Sequence, residues 1–474
     1  MWKGRFKEDT ARVVQEFTQS LDLDWRMARH DIYGSIAHVR MLGETGILDK
    51  RECEKIEDGL LKVLSEIQSG KFKPEIELED VHMNIEHRLT QLEPLGAKLH
   101  TARSRNDQTA VTVRLYLRDR LLNLGENFIN LLKAVLALAE KNKLVIVSGY
   151  THLQQAQPIS FAHYLLAWFE AFSRDYERLK FALNALNECP LGAGALAGST
   201  LNIDREFTAN LLGFDKATCN SLDTVAQRDY MADFHQFASV FAVHASRLSE
   251  DFIIWSTQEF GWLKLPDAFC TGSSMMPQKK NPDVLELVRG KTGQVLGHMI
   301  DLLVSLKGLP MTYDRDLQED KRGLFASLDV IDSVINILTP LILKVEVNED
   351  IALESINGGK GRGFALATDI AEYLVKRGVP FRDAHYQVGK LVAFCIENNL
   401  TFKDLSLEQW RTHLSSCDED LLNLISPEAS VANRNSYGGT GFKQVELQLD
   451  NAKERIAALE REFKELQERM RIKI

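Results

Sequence analysis

Two long stretches that contain neither glycine nor proline most limit the folds open to this chain. One runs between Pro158 and Pro190, and the other runs from Phe214 to Phe260. Apolar residues in this part of the chain recur at steps of three and four, the spacing of one helix face. The clearest stripes are Leu121, Leu124, Phe128, Leu131, Val135 and Leu138, and then Phe234, Phe237, Phe241, Leu248 and Phe252. They predict a mostly α-helical bundle of unusually long helices, whose outer faces meet partner subunits.

The glycine distribution divides the chain into three predicted domains. These are an N-terminal helical domain (1–102), a central long-helix bundle (103–354) and a C-terminal helical domain (355–474). A glycine cluster marks the last boundary and consists of Gly358, Gly359, Gly361 and Gly363. Near the end of the chain, apolar residues alternate steps of four and three, which predicts a helix packed on the body of the protein or on a neighbour. They are Val445, Leu449, Ala452, Ile456, Leu459, Phe463, Leu466 and Met470. No segment of strand periodicity stands out.

The composition restricts the partners that the protein can have. With 474 residues, 45% hydrophobic and 26% charged, the chain resembles an ordinary globular protein that can bury a large core. A net charge of −10 argues against a non-specific nucleic-acid-binding protein, so local cations must hold any anionic ligand.

Six scattered cysteines without a CxxC pair indicate reduced thiols. Because we find no signal peptide and no apolar run near the roughly 18–20 residues that span a bilayer, we predict a soluble, cytoplasmic protein.

The segment 271–286 carries groups suited to a negatively charged small molecule. It reads TGSSMMPQKKNPDVLE, and its two prolines exclude a regular helix. Lys279, Lys280 and Asn281 supply two ammonium groups and an amide beside flexible backbone and serine hydroxyls. Donors gathered in this way can hold an anion, or a carbanion that forms next to a carboxylate. Composition alone leaves a solvated surface loop as the alternative.

The sequence TARSRNDQ precedes a predicted long helix and places two arginines among hydrogen-bonding side chains. Arg105 and Asn106 at a helix N-terminus would form a good receptor for a carboxylate. A structural role accounts for only one residue of the group, because Ser104, Asn106 or Asp107 can each serve as the N-cap.

Three further clusters have both a chemical and a structural interpretation. The sequence GYTHLQQAQP puts His152 in a break between two long helices, where a side chain can face a cleft; a hydrogen-bonded structural histidine is the alternative. In DVHMNIE, His82 and Glu86 are four residues apart on one helix face, which by itself favours a surface hydrogen bond. The charged run at 313–321 by itself indicates a solvated loop or a helix start.

Sequence patterns for bound cofactors do not occur in a convincing context. The glycines of PLGAGALAG precede no strand–helix unit of Rossmann type, and a Walker A loop and two-metal carboxylate clusters are not found. We therefore expect side chains alone to do the chemistry, without a metal ion or an organic cofactor.

Five of these segments closely resemble motifs of one enzyme family. They are LHTARSRNDQ (99–108), similar to LHTGRSRNDQ with Ala102 in place of glycine, GYTHLQQAQP (149–158), PLGAGALAG (190–198), MPQKKNPD (276–283) and the TY and DLQEDK of 312–321. Together they resemble the argininosuccinate lyase family of the fumarase/aspartase superfamily, to which the lens δ-crystallins are related. The resemblance covers nearly the whole chain, and Cys270, where serine is usual, is one of few departures.

The resemblance implies a three-domain fold, a homotetramer around a twenty-helix core, and active sites drawn from three subunits. It also implies reversible β-elimination of argininosuccinate to arginine and fumarate, the last step of arginine biosynthesis. Ser273 would be the base, Lys279 would stabilise the dianion, and His152 with Glu286 would assist the leaving group. The residues that would hold the substrate are Ser20, Arg105, Asn106, Thr151, Asn281, Tyr313, Gln318 and Lys321, with His82 and Glu86 in a further active-site region.

Three rival interpretations stay open at this point. Adenylosuccinate lyase belongs to the same superfamily, but the RSRN run and the double lysine favour argininosuccinate. A structural protein like the δ-crystallins need not retain both His152 and Ser273, which are present here. A purely helical scaffold would explain the apolar seam at the end of the chain but not the polar loops.

Overall fold

A computed structural model of the chain describes residue 8, residues 10–358 and residues 363–474. Helices dominate the described residues, so the predicted mostly α-helical fold class is confirmed. The N-terminal region contains α1 (Arg12–Thr18), α2 (Leu21–Asp24), α3 (Ala28–Glu44), α4 (Lys50–Gln68) and α5 (Val81–Leu92). The Asp49 and Asp80 side chains accept hydrogen bonds from the first turns of α4 and α5 and thereby start these helices. The apolar faces of α3, α4 and α5 form one small core.

The central region is a bundle of long helices. It contains α6 (Arg105–Lys141), α7 (Phe161–Ala185), α8 (Arg205–Leu211), α9 (Ser221–Ala226), α10 (Asp229–Trp255), α11 (Asp283–Leu306) and α12 (Asp320–Lys344). At 37 residues α6 is about 55 Å long. Both predicted apolar stripes are buried in the bundle core. The Phe128 ring of α6 contacts Phe172 of α7 and Phe241 of α10. Aromatic packing around Phe128 therefore joins the three helices.

The C-terminal region combines a separate small core with a helix that returns to the bundle. Its helices are α13 (Glu349–Asn357), α14 (Ala367–Lys376), α15 (Phe381–Glu397), α16 (Leu407–His413), α17 (Pro427–Asn433) and α18 (Phe442–Arg469). The small core lies among α14, α15 and α16. All eight residues of the predicted seam are buried in the central core, where α18 packs on α6 and α7. A Cβ at Gly125 would lie 2.6 Å from the Phe463 ring, so glycine permits this close approach. Gly359 and Gly361 lie outside the described residues, and the three-domain division stays a prediction.

Strands are short, with one exception that corrects the sequence interpretation. β1 (Ile146–Thr151) and β2 (Gln154–Ser160) form an antiparallel hairpin between α6 and α7, with Ile146 opposite Ser160 and Thr151 opposite Gln154. The expectation that no strand segment stands out is wrong here. The two strands are unevenly buried, and a bulge between Ser148 and Tyr150 interrupts their pairing, so their residues show no clear period of two. Three further pairs have two residues per strand: β3 (Glu188–Cys189) with β4 (Lys216–Ala217), β5 (Leu263–Lys264) with β8 (Glu346–Val347), and β6 (Thr271–Gly272) with β7 (Lys280–Asn281).

Two helical segments, Arg105–Lys141 and Arg315–Lys344, are long and apolar enough to cross a bilayer by length and composition. The sequence expectation concerned an uninterrupted apolar run, and charged residues interrupt both helices: Glu126 and Lys133 in the first, Asp329 and Asp332 in the second. Both helices contribute apolar residues to the core of the central bundle, and a helix that packs against several others carries apolar residues on more than one face. Buried Arg114 and Arg118 on α6 donate to the carbonyl oxygens of Leu186 and Leu212, respectively, within the protein.

Candidate active site

The candidate carboxylate receptor lies at the first turn of α6. The Ser104 side chain accepts a hydrogen bond from the Asn106 N–H, and the Asp107 side chain accepts one from the Ser104 N–H. This arrangement is a capping box, and it identifies Ser104 as the N-cap. The sequence had offered Ser104, Asn106 and Asp107 as candidates. Arg105 and Asn106 consequently stand in the first turn, where free N–H groups and the helix dipole favour an anion.

The same turn is bound to the glycine-rich PLGAGALAG loop. The N–H groups of Gly192 and Gly194 both donate to Asp107 Oδ2 at 2.9 Å. Asn106 Nδ2 donates to the Ala195 carbonyl oxygen at 3.0 Å. Burial raises the pKa of Asp107 to about 6, although its three backbone donors act in the opposite direction. Helix start and loop thus form one unit.

Arg105 is held by two neighbours. Its Nε lies 3.1 Å from Asp80 Oδ2, and its Nη1 donates to Gln108 Oε1 at 2.6 Å. The side chain keeps 27% of its exposure, so the guanidinium is oriented by the protein but still reachable by a ligand.

His82 and Glu86 do not form the surface hydrogen bond that their spacing favours. The His82 side chain is buried: its Nδ1 lies 2.7 Å from Asp31 Oδ1 and its Nε2 lies 3.2 Å from Thr109 Oγ1. Glu86 instead lies near His100, with 3.8 Å between Oε2 and Nδ1. Both ring nitrogens of His82 are therefore in contact with protein groups, one of them Thr109 on the helix that carries Arg105.

Ser20 and Lys321 belong to a second polar cluster next to the first. Ser20 Oγ donates to Asp24 Oδ2 at 2.5 Å, and Lys321 Nζ lies 3.3 Å from Asp320 Oδ1 and 4.0 Å from Asp24 Oδ1. Burial would lower the pKa of Lys321, but these two carboxylates raise it above its ordinary value, so the ammonium form is favoured. The charge of Asp80, the partner of Arg105, also acts on Asp24. The two clusters therefore share one electrostatic environment.

Gln318 and Tyr313 border this cluster. Gln318 Nε2 donates to the Thr18 carbonyl oxygen at 3.0 Å, which ties the segment before α12 to α1. Burial raises the pKa of Tyr313, while Lys321 acts in the opposite direction. The charged run at 313–321 is thus not a wholly solvated loop, because Asp320 and Lys321 are buried at the start of α12.

His152 occupies the tip of the β1–β2 hairpin. His152 and Leu153 form its two-residue turn, and both have a φ of 55°. Turns of this type normally use asparagine and glycine, so two side chains here adopt a backbone that disfavours them. His152 and Thr151 are exposed, and the His152 ring has no hydrogen-bond partner among the described residues. The hairpin thus presents both side chains to the outside of the subunit.

The segment 271–286 consists of a loop at 271–282, closed by the short β6–β7 ladder in which Thr271 is opposite Asn281, and of the first turn of α11, which carries Glu286. Lys280 anchors it, because its Nζ donates to Asp267 Oδ1 at 2.6 Å. Ser273 Oγ accepts hydrogen bonds from the N–H groups of Met275 and Met276 at 3.2 and 3.0 Å. The proposed base is therefore already in contact with two backbone donors of its own loop.

A cavity of about 790 Å³ lies beside this loop. Lys279, Asn281 and Glu286 are among its lining residues, whereas Ser273 and His152 are not. The cavity thus gathers part of the predicted catalytic group within one subunit but not the whole of it.

Strained backbone concentrates at the motif segments. Six described residues other than glycine have a positive φ, and only Asn399 lies far from a motif. The others are Glu79, Ala102, His152, Leu153 and Thr312. Ala102, at the position where the motif LHTGRSRNDQ has glycine, has a φ of 60°, a conformation that costs an L-residue about 1 kcal/mol. Strain of this kind persists where the surroundings over-determine the backbone, as they do at functional sites.

The predicted site residues therefore occupy three places in the subunit. One place holds the α6 start and the Lys321 cluster, the second is the segment 271–286, and the third is the hairpin tip at 151–152. Among the described residues, no hydrogen bond or ion pair connects His152 to Glu286 or to Ser273.

Comparisons with known proteins support one family. A lyase family profile matches residues 4–297, and a profile for the argininosuccinate lyase C-terminal region matches residues 364–432. Argininosuccinate lyase of Geobacter sulfurreducens is 48% identical over 96% of this chain and 98% of its own length. The chain belongs to the argininosuccinate lyase family. The enzyme of the same name from Saccharophagus degradans is 46% identical over 96% of both chains.

Solved structures agree with this assignment. An EDDS lyase variant with bound fumarate is 26% identical and has a TM-score of 0.85, with 98% of this chain and 94% of that chain covered. Class II fumarase from Schistosoma mansoni is 16% identical with a TM-score of 0.73, covering 90% and 94% of the two chains, and this similarity shows the fold alone. The predicted fumarase/aspartase-like fold and the predicted lyase class are confirmed for this member of the argininosuccinate lyase family.

Sequence reasoning assigned no role to several residues that build this site. Asp24 contacts Ser20 and Lys321, and Asp31 contacts His82 and Gln108. Asp24 could have been found, because it lies one helical turn after Ser20. Asp31 left no such signal, since its partners are about 50 and 77 residues away in the chain.

Proposed function

We propose that this chain cleaves argininosuccinate reversibly into L-arginine and fumarate, the last step of arginine biosynthesis. Its membership in the argininosuccinate lyase family carries the proposal, because the similarity extends over 98% of a relative of that name. The polar groups that such a reaction needs are present in the segment 271–286, at the hairpin tip and at the start of α6.

The first step removes a proton from the succinyl carbon that lies next to a carboxylate. Ser273 takes this proton, and the electron pair spreads into the carboxylate as a dianion. The N–H groups of Met275 and Met276 already donate to Ser273 Oγ, so they favour the alkoxide form that a base requires. Lys279 and Asn281, on the same loop, stabilise the dianion.

The second step breaks the bond between carbon and the guanidinium nitrogen. The electron pair of the dianion forms the double bond of fumarate, and the leaving nitrogen receives one proton to give arginine. His152, supplied by a neighbouring subunit, assists this proton transfer, because an imidazole nitrogen can accept and donate a proton. Glu286 orients its ring. The polar side chains around the α6 start hold the substrate; they are Ser20, Arg105, Asn106, Tyr313, Gln318 and Lys321. Thr151 of the hairpin and Asn281 of the 271–286 segment add to these contacts. His82 and Glu86 support the region around the α6 start.

We further propose a homotetramer in which long helices of four subunits form a twenty-helix core and complete each active site. The outer face of α11 supports this assembly. Ile300 and Val304 on that face are 62% and 55% exposed, and a Cβ at Gly290 or Gly297 on the same face would meet nothing within 4 Å. A long apolar face with small residues suits close contact with another helix.

We also propose a cytoplasmic location, which the six free cysteines support because thiols stay reduced in the cytosol.

Purified protein is expected to release fumarate from argininosuccinate, followed by ultraviolet absorbance, and to release none from adenylosuccinate. The reverse reaction from arginine and fumarate provides the matching control, because an elimination catalyst must accelerate both directions. Release from adenylosuccinate alone would refute the assignment of substrate.

Mixed tetramers test whether the active sites are shared. His152→Asn and Ser273→Ala subunits are each expected to be inactive when pure, since either change removes a proton-transfer group. If the two residues of one site come from different subunits, random mixing leaves about a quarter of the sites with both groups intact. Activity per site after mixing is measured against wild type. Failure to recover any activity in verified mixed tetramers would show that one subunit supplies both residues.

A further inference from the structure

A buried series of hydrogen bonds connects Arg105 to the interior of the N-terminal region. Arg105 Nη1 donates to Gln108 Oε1 at 2.6 Å, and Gln108 Nε2 donates to Asp31 Oδ1 at 2.8 Å. The same Asp31 oxygen lies 2.7 Å from His82 Nδ1, which must donate because a carboxylate only accepts. Gln108, Asp31 and His82 are all buried, so this network is protected from water.

The network permits a single orientation of the Gln108 amide. A guanidinium only donates and a carboxylate only accepts, so the oxygen must face Arg105 and the N–H2 group must face Asp31. A flipped amide would leave a buried acceptor and a donor unpaired. Burial would raise the pKa of Asp31, but His82, Arg103 and Gln108 hold it well below its ordinary range, so the orienting charge persists.

Arg105 is thereby held on two sides. Asp80 lies 3.1 Å from its Nε, and Gln108 accepts from its Nη1. Among the described residues, no side chain accepts from Nη2, and part of the guanidinium is exposed. Because the plane of the Arg105 guanidinium is fixed, its remaining N–H groups can donate to a ligand. A guanidinium binds a carboxylate through two parallel hydrogen bonds, and it does so best when its orientation is set before the ligand binds.

We propose that Gln108, locked by Asp31, is a positioning residue that orients the Arg105 guanidinium toward a substrate carboxylate. The inference rests on the proposed function, in which Arg105 helps to hold argininosuccinate. Gln108 acts only through Arg105, and its loss weakens binding without affecting proton transfer at the 271–286 loop.

Gln108→Met removes both hydrogen bonds at similar volume, and Gln108→Asn keeps an amide that is too short to reach Asp31 and Arg105 together. Calorimetry with argininosuccinate in the Ser273→Ala background measures binding without turnover. Each change is expected to raise Kd about tenfold, the size of a lost hydrogen bond to a charged group. With Ser273 intact, KM is expected to rise by a similar factor and kcat to stay within about threefold.

Two comparisons separate positioning from a general structural role. In an Arg105→Gln background, Gln108→Met is expected to cause no further loss of affinity, because its effect passes through Arg105. Gln448→Met on α18 makes the same chemical change at an amide that donates to the Gly439 and Gln444 carbonyl oxygens, and its Kd is expected to match the parent.

Unchanged affinity in both Gln108 variants would overturn the inference, as would an equal loss with and without Arg105. Either result in a parent that binds argininosuccinate leaves the proposed function intact. Absence of binding by the Ser273→Ala parent, together with absence of fumarate release by wild type, would instead refute the proposed function and the inference that rests on it.

Discussion

Ser273→Ala is expected to lower kcat for argininosuccinate cleavage about a thousandfold, within the range that a positioned proton-transfer group contributes. Alanine cannot accept the proton from the succinyl carbon, and the N–H groups of Met275 and Met276, which donate to Ser273 Oγ, lose the oxygen that they stabilise. KM is expected to change little, because the hydroxyl forms a small part of the substrate contacts. Fumarate release gives the rate, and sedimentation reports the oligomeric state.

Ser274→Ala is the matched control in the same loop. Ser274 is exposed, and its side chain makes no hydrogen bond to any described residue. Its kcat is expected to stay within about threefold of wild type, as for most surface substitutions. Wild-type activity in Ser273→Ala would show that another group removes the proton.

The second large effect concerns stability. Asp320→Ala is expected to lower the free energy of unfolding by about 3–5 kcal/mol, because it leaves buried cations without their partner. The Asp320 carboxylate forms an ion pair with Arg228 Nε and lies 3.3 Å from Lys321 Nζ. All three side chains are at least 96% buried, so water cannot replace the lost carboxylate. The shift of the urea denaturation curve measures the change.

Asp329→Ala provides the comparison at the surface. The Asp329 side chain is 49% exposed and pairs with Arg26 at 3.0 Å and with Arg120 at 3.3 Å. Solvent screens such pairs, so its removal is expected to cost less than about 1 kcal/mol. Equal shifts for the two variants would contradict the importance assigned to the buried pair.

The helices of the central bundle were predictable because their signal is local. The stripe that contains Phe128 and the seam that contains Phe463 follow from spacing alone, and both are buried as expected. The N-cap at Ser104 was one of three local choices, and the structure selects it. The hairpin that carries His152 was missed, since a short turn with two positive φ values and no glycine has no sequence signature.

The candidate site was predictable in its chemical groups and not in their partners. Lys321 was expected in a charged segment that could be a solvated loop, but it is buried against Asp24, which lies almost 300 residues earlier in the chain. His82 was expected near a ligand, but both of its ring nitrogens are bound to Asp31 and Thr109. Arg228 has no sequence signal that marks it, because its ion-pair partner Asp320 is 92 residues away in the chain. This ion pair joins α12 to the residue before α10.

The sequence by itself determined that the protein is a helical lyase of the argininosuccinate lyase family, because helix periodicity and motif spelling are properties of neighbouring residues. Only the tertiary structure decided that Gln108 joins Arg105 to Asp31 and that His152 stands on an exposed hairpin tip. The physical reason is that a hydrogen bond or an ion pair depends on distance in space and on local burial. Both are set when segments that are distant in the chain pack together.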